Sequence, residues 1–155
     1  MRLRVNDQVH EVPVEPHELL VDTLRERLGL TGAKQACGMG NCGTCTVRLG
    51  GATVYSCLVL TVECDDQPIG TIEGLADGDE LDPVQQAFLD ADAFQCGFCT
   101  PGQIMSLRAL LDEVPAPSEE EVVHGMSGNL CRCGAYRHIL DAARLAAANG
   151  GGRDR

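Results

Sequence analysis

Cys37, Cys42 and Cys45 follow the spacing C-x4-C-x2-C, and Cys57 follows after eleven intervening residues. Three thiols on one loop plus a distant fourth is the spacing of plant-type [2Fe–2S] centres. Three thiolates must converge from a single loop onto a small diamond of two irons and two sulfides. The loop must also wrap that diamond closely, with main-chain N–H groups aimed at its negatively charged sulfurs. Gly38, Gly40 and Gly43 interleave with these cysteines and suit the task, because glycine takes positive φ and lets the main chain approach. Structural zinc is the poorer fit, since zinc loops pair one C-x2–4-C knuckle with a second, which Cys57 alone does not provide.

A second group joins Cys96 and Cys99 as C-x2-C to Cys131 and Cys133 as C-x-C. Spacing leaves zinc and iron–sulfur both open here, because four thiolates on a tetrahedral ion make an ordinary structural site. Two sets of four use eight of the nine cysteines and leave Cys64, which reads as a small buried hydrophobe. His10, His17, His124 and His138 are scattered, with no pair at metal-ligand spacing. No nucleophile–base constellation and no phosphate- or dinucleotide-binding glycine fingerprint is present. The residues point to electron carriage or a metal staple, not to catalysis by this chain alone.

The 155 residues carry a net charge of −11, and every basic residue but Lys34 is Arg. A chain this acidic repels phosphate backbones, which argues against nucleic-acid binding. No apolar run approaches the ~20 residues of a membrane span, so no membrane insertion is expected. Met1 to Val5 enters strand-like alternation directly, without a signal region or twin arginine, and a cytoplasmic location is expected. An odd cysteine count in that compartment argues against a disulfide framework. Aromatics make up 3% of the residues with no Trp, so the core must come from Leu, Val, Ala and Ile. Two domains of about 75 residues built that way are marginal without a staple.

The elements that must position the cysteines follow from periodicity. Leu3/Val5 and Val12/Val14 alternate around Asn6-Asp7, a tight hairpin turn. Leu20, Leu24 and Leu28 then predict one amphipathic helix ending before Gly29 as C′ residue. Thr44–Leu49 and Ala52–Ser56 predict a hairpin across Gly50-Gly51, and a last strand is expected near Pro68–Ile72. After Gly74 the pattern turns helical. Asp77-Gly78-Asp79 is a polar hinge, and Asp82-Pro83 is a cap with Pro at N1. Thr100-Pro101 repeats that device, and Ser118 with Glu121 fits a capping box. Tyr136–Ala148 predicts the last helix. The expected fold is α+β: a small mixed sheet crossed by one helix over 1–76, a bundle of four helices over 77–149, and a flexible tail over 150–155.

At this point the residues resemble a known family. Lys34-Gln35-Ala36-Cys37-Gly38-Met39-Gly40-Asn41-Cys42-Gly43-Thr44-Cys45-Thr46-Val47 is similar to the first cluster loop of molybdenum hydroxylase iron–sulfur subunits. Gln95-Cys96-Gly97-Phe98-Cys99-Thr100-Pro101-Gly102 and Gly128-Asn129-Leu130-Cys131-Arg132-Cys133 are similar to its other two motifs. This is the xanthine dehydrogenase, aldehyde oxidoreductase and carbon monoxide dehydrogenase family, and the likeness runs from about Leu3 to Ala148.

The resemblance implies that the N-terminal unit is a ferredoxin-like (β-grasp) [2Fe–2S] domain and the C-terminal unit a four-helix-bundle [2Fe–2S] domain, with one cluster on Cys37, Cys42, Cys45 and Cys57, nearer the flavin. It implies a second on Cys96, Cys99, Cys131 and Cys133, nearer molybdenum, which resolves that group against zinc. Gln95 matches a glutamine that hydrogen-bonds molybdopterin, and Cys133 matches a ligand lying against the pterin. The implied partners are a large molybdopterin-binding catalytic subunit and a medium FAD-binding subunit, assembled as a dimer of heterotrimers. Electrons left at molybdenum by substrate hydroxylation pass through both clusters to FAD. The molybdopterin is expected as its cytosine dinucleotide. Cys131-Arg132-Cys133-Gly134-Ala135-Tyr136, where most of the family continues Thr-Gly-Tyr after the second cysteine, resembles the bacterial aldehyde oxidoreductase branch. Glu80-Leu81-Asp82-Pro83-Val84-Gln85-Gln86 resembles the carbon monoxide dehydrogenase branch. An aldehyde substrate is the expectation, with a purine, another N-heterocycle or carbon monoxide as alternatives. A free-standing ferredoxin-type carrier and a zinc-stapled adaptor are the rival classes; neither has a use for Gln95 beside a buried pterin.

Overall fold

The structure is a computed structural model that describes residues 1–149; the tail expected over 150–155 lies outside the described residues. Strand β1 (Arg2–Val5) pairs antiparallel with β2 (Gln8–Glu11). Asn6 and Asp7 turn between them at φ +48° and +62°, the double left-handed step that matches strand twist in a two-residue hairpin. Strands β3 (Thr46–Leu49) and β4 (Ala52–Tyr55) form a second hairpin over Gly50-Gly51. Strand β5 (Pro68–Gly70) slots between the hairpins, parallel to β1 and antiparallel to β3. The sheet order is β2-β1-β5-β3-β4. Alternation buries Leu3, Val5, Val47 and Ile69 on one face, where Leu20, Val21 and Leu24 meet them.

The helix carrying those leucines departs from the sequence expectation. One α-turn, α1 (Leu20–Asp22), widens into a π-turn over Thr23–Arg27, and the Leu28 amide donates to the Thr23 carbonyl at 3.1 Å. Regular i, i+4 spacing does not reveal this, because the cause is tertiary. Thr23 is fully buried, with its hydroxyl against Thr61 at 2.8 Å and Glu18 at 2.7 Å. Gly29 closes the turn at φ +69°.

Helices α2 (Pro83–Asp90), α3 (Thr100–Glu113), α4 (Glu119–Met126) and α5 (Tyr136–Ala148) form the C-terminal half. Asp82 caps α2 by accepting from the Val84 amide at 2.8 Å, and Gln85 accepts from the Asp82 amide at 3.0 Å. Ser118 and Glu121 build the same reciprocal box at α4. Thr100 does not cap α3: Cys99 takes that position without a side-chain bond, and the Thr100 hydroxyl is buried without a hydrogen-bond partner. The Thr-Pro pair lies one residue inside the helix start, because the preceding cysteine loop fixes where the helix begins. Phe88 is packed among Val84, Leu107, Leu111, Ile139 and the alanines of α5. Ala142, Ala143 and Ala146 are fully buried and let α5 approach α2 closely.

Helix α3 also packs against β3, joining the two halves. Arg108 on α3, with 3% of its side chain exposed, lies 3.7 Å from Asp82 and 2.8 Å from Asp112. Arg48 of β3 reaches Asp112 from the other side. No helix among the described residues is long and apolar enough to cross a membrane.

Candidate metal centres

The loop from Cys37 to Cys45 runs between the α1 segment and β3, and its glycines set its path. Gly38, Gly40 and Gly43 all take positive φ, from +63° to +73°, as their spacing among the cysteines predicts. The amides of Met39 and Asn41 point at Cys37 Sγ, at 3.5 and 3.4 Å. These donors, joined by the Cys42 thiol, pull the Cys37 thiol down to about 6. Donors converging on sulfur stabilise thiolate and lower its proton affinity.

The thiols fall into facing pairs. Cys37 interacts with Cys42 at the surface, both half-buried. Cys45 interacts with Cys57 inside, at 2% and 3% exposure. Burial pushes the Cys45 thiol up to about 11.

The C-terminal half repeats the arrangement on different elements. Cys96 lies in the loop before α3, and Cys99 is the cap residue of that helix. Cys131 and Cys133 lie in the turn before α5, where Gly134 takes φ +78°. Cys96 faces Cys133, both exposed, and Cys99 faces Cys131, both buried. Burial, with the facing Cys131 thiol, pushes Cys99 up to about 12. The Ala135 amide donates to Cys131 Sγ at 3.4 Å.

Two facing pairs per site bear on which group each could hold. Two facing pairs at each site would suit a dinuclear cluster, with one pair of thiolates offered from either side. The amides aimed at sulfur fit the same group. Cys64 belongs to neither set. It is fully buried, donates to the Leu60 carbonyl at 3.7 Å, and has its thiol raised to about 11 by burial.

Gln95 is exposed, next to exposed Cys96 and between Ala93-Phe94 and Gly97-Phe98. Phe94, Phe98 and Leu130 are also exposed, at 40%, 44% and 52%. The outer pair of the second site therefore opens onto an apolar rim. A cleft of about 760 Å³ between the two halves, lined by Arg48, Asp82 and Arg108, contains no cysteine.

The two loops are bonded to each other. The Leu130 amide donates to the Cys42 carbonyl at 2.9 Å. Asn129 donates to the Gly43 carbonyl at 2.8 Å and to Thr46 Oγ1 at 3.2 Å. The Tyr55 hydroxyl donates to the Gly128 carbonyl at 2.9 Å. Sequence reasoning gave Tyr55 and Asn129 no role. The available signal was Gly128-Asn129, one residue before the C-x-C pair, small and polar where a helix end meets a cysteine loop.

Residues 3–76 match the family described as "2Fe-2S iron-sulfur cluster binding domain", and residues 71–144 the "[2Fe-2S] binding domain". The nicotinate dehydrogenase small FeS subunit of Eubacterium barkeri is 44% identical over 146 residues, covering 94% of this chain and 93% of the relative. The chain is an iron–sulfur subunit of the molybdenum hydroxylase family. Among solved members, quinoline 2-oxidoreductase from Pseudomonas putida 86 contains a chain that superposes with a TM-score of 0.89 at 44% identity, covering 97% of each chain. The aldehyde oxidoreductase of Desulfovibrio desulfuricans ATCC 27774 matches with a TM-score of 0.91 at 44% identity, over 96% of this chain and 17% of its own. Molybdenum hydroxylase subunits of this kind serve electron transfer within oxidoreductase complexes, and the α+β fold is that of the family.

Proposed function

We propose that this chain relays electrons between a large molybdopterin-bearing catalytic subunit and a medium FAD-bearing subunit. In this reading Cys37, Cys42, Cys45 and Cys57 hold one [2Fe–2S] cluster, and Cys96, Cys99, Cys131 and Cys133 hold the other. When bound, each cluster accepts and returns a single electron. The chain supplies the rest. Buried Cys45, Cys57, Cys99 and Cys131 keep water from the inner faces. The amides of Met39, Asn41 and Ala135 stabilise charge on sulfur. Gln95 and Cys133, exposed on an apolar rim, meet the molybdopterin, taken as the cytosine dinucleotide.

The observation that carries the reading is the Leu130–Cys42 hydrogen bond. It joins one cysteine loop directly to the other through a main-chain N–H···O=C contact, an arrangement that a zinc-stapled adaptor does not need. The unit boundary is placed at 76/77, the assembly is a dimer of heterotrimers, and the compartment is the cytoplasm.

An aldehyde oxidised to a carboxylic acid is the proposed substrate, supported by Gly134-Ala135 after Cys133 and by the likeness to the Desulfovibrio enzyme. A second reading, an N-heterocycle, is favoured by the nicotinate and quinoline enzymes among the relatives. The test is to purify the tagged chain with its natural partners and assay dye reduction with an aromatic aldehyde, nicotinate, hypoxanthine and carbon monoxide. Aldehyde-dependent reduction by a three-chain complex is expected. Reduction with nicotinate or hypoxanthine keeps the relay and moves the substrate to an N-heterocycle; reduction with carbon monoxide likewise keeps the relay alone. A cluster-bearing chain that recovers no partner, even after crosslinking, overturns the subunit reading in favour of a free carrier.

A further inference from the structure

We propose that Asn129 is the positioning residue that fixes the two cysteine sites relative to one another. It rests on the reading that both sites hold clusters, and goes beyond it by naming what sets their separation. Asn129 is 4% exposed, and its side chain is bonded on both ends. Its amide nitrogen donates to Gly43 and Thr46 of the first loop and strand. Its amide oxygen accepts from Ser106 of α3 at 2.6 Å. The Gln103 side chain holds its main-chain carbonyl at 3.0 Å. A residue one position before Leu130 and two before Cys131 is therefore clamped to the residue that follows Cys42.

The main chains around it are in contact. A Cβ on Gly43 would lie 2.3 Å from the Gly128 carbonyl oxygen, and one on Gly102 would lie 2.4 Å from the Gly43 carbonyl oxygen. A Cβ on Gly128 would meet the Tyr55 hydroxyl at 2.3 Å. Three glycines from three segments thus allow a separation that any side chain would widen. Asn129 holds the segments at that separation, and the Cys42 carbonyl and Leu130 amide meet as a result. Coupling between two redox centres falls steeply with distance, so this clamp governs how strongly the sites communicate.

The test compares the wild-type complex with its Asn129→Ala and Asn129→Asp forms. Asn129→Asp keeps the acceptor for Ser106 but loses both donors to the first loop. Iron content and visible absorption establish that both clusters are present. Electron paramagnetic resonance of the fully reduced protein then reads the magnetic splitting between them. The expected result is full iron, two individually normal signals, and a splitting smaller than the wild type's in both variants, because the interaction falls as the sites separate. Full iron with unchanged splitting overturns the proposal. Wild-type protein lacking two cluster signals overturns the relay reading instead. If neither variant folds, hydrogen exchange of segment 127–133 in the wild-type complex decides. Exchange about tenfold or more slower than an unstructured peptide upholds the clamp, and unprotected exchange removes it.

Discussion

The Arg108 guanidinium, enclosed between α2, α3 and the sheet, lies 3.7 Å from the carboxylate of Asp82, the residue that caps α2. One cation therefore ties a helix start to the helix that bridges both halves. Replacing one partner of a buried ion pair with an apolar residue leaves charge behind. Arg108→Met is expected to lower stability by about 3 kcal/mol, read by chemical denaturation. A change within about 0.5 kcal/mol means the pair carries no weight.

Glu18 gives a pH dependence. Arg27 holds both of its carboxylate oxygens, at 3.0 and 2.8 Å, and with Thr23 brings its pKa down from 4.5 to about 2. A carboxylate whose folded pKa is depressed stabilises the fold above its unfolded value and loses that contribution as pH falls through the folded one. The stability gap between wild type and Glu18→Gln is therefore flat from pH 7 to about 5. It shrinks between about 4.5 and 2. Melting curves across that range check it, and a gap that widens on acidification contradicts the assignment.

The cysteine sets predict opposite outcomes for two buried thiols. Cys57→Ala should remove about half of the iron and one cluster signal, leaving the second site intact. Cys64→Ala should keep all the iron and cost only about 1 kcal/mol of packing. Iron and sulfide analysis separates them. Equal losses in the two variants would place Cys64 among the ligands.

Gly43→Ala should destabilise the chain by about 2 kcal/mol or more. It combines φ of +68° with a backbone oxygen 2.3 Å from the new Cβ, and neither relaxes without moving the other loop. Thermal melting of the apo-protein checks this in the absence of any cluster.

Gln95→Ala should leave iron content and melting temperature unchanged, because the side chain is exposed. Substrate-driven cluster reduction in the assembled complex should slow about tenfold, the size of a lost outer-sphere contact. Stopped-flow absorbance reads it, and an unchanged rate removes Gln95 from the pterin contact.

Local chemistry made much of this legible in the sequence. Asn6-Asp7 and Gly50-Gly51 declare hairpins because few other pairs tolerate two positive φ angles in succession. Asp82-Pro83 and Ser118-Glu121 declare helix starts because their side chains close bonds within three residues. The cysteine spacing sorted eight thiols into the two sets whose members face one another in the structure, and left the metal of the second set open. The π-turn at Thr23 was hidden, because it depends on Thr61, far along the chain. The Thr100 cap failed for a related reason, since the loop carrying Cys96 and Cys99 sets the start of α3. Asn129 was illegible as a clamp because its partners Gly43 and Ser106 lie in different segments, and no periodicity links them.

The sheet order has a consequence for biosynthesis. Strand β5, at residues 68–70, is the last strand made and yet lies centrally between β1 and β3. A nascent chain on the ribosome has released Cys37, Cys42, Cys45 and Cys57 before the strand that unites the two hairpins emerges. Pairing of β5 with β1 and β3 joins residues far apart in the sequence, and such non-local pairing is the slow part of sheet formation. Docking of β5 is therefore the step that completes the core in which Cys45 and Cys57 lie with Ile69.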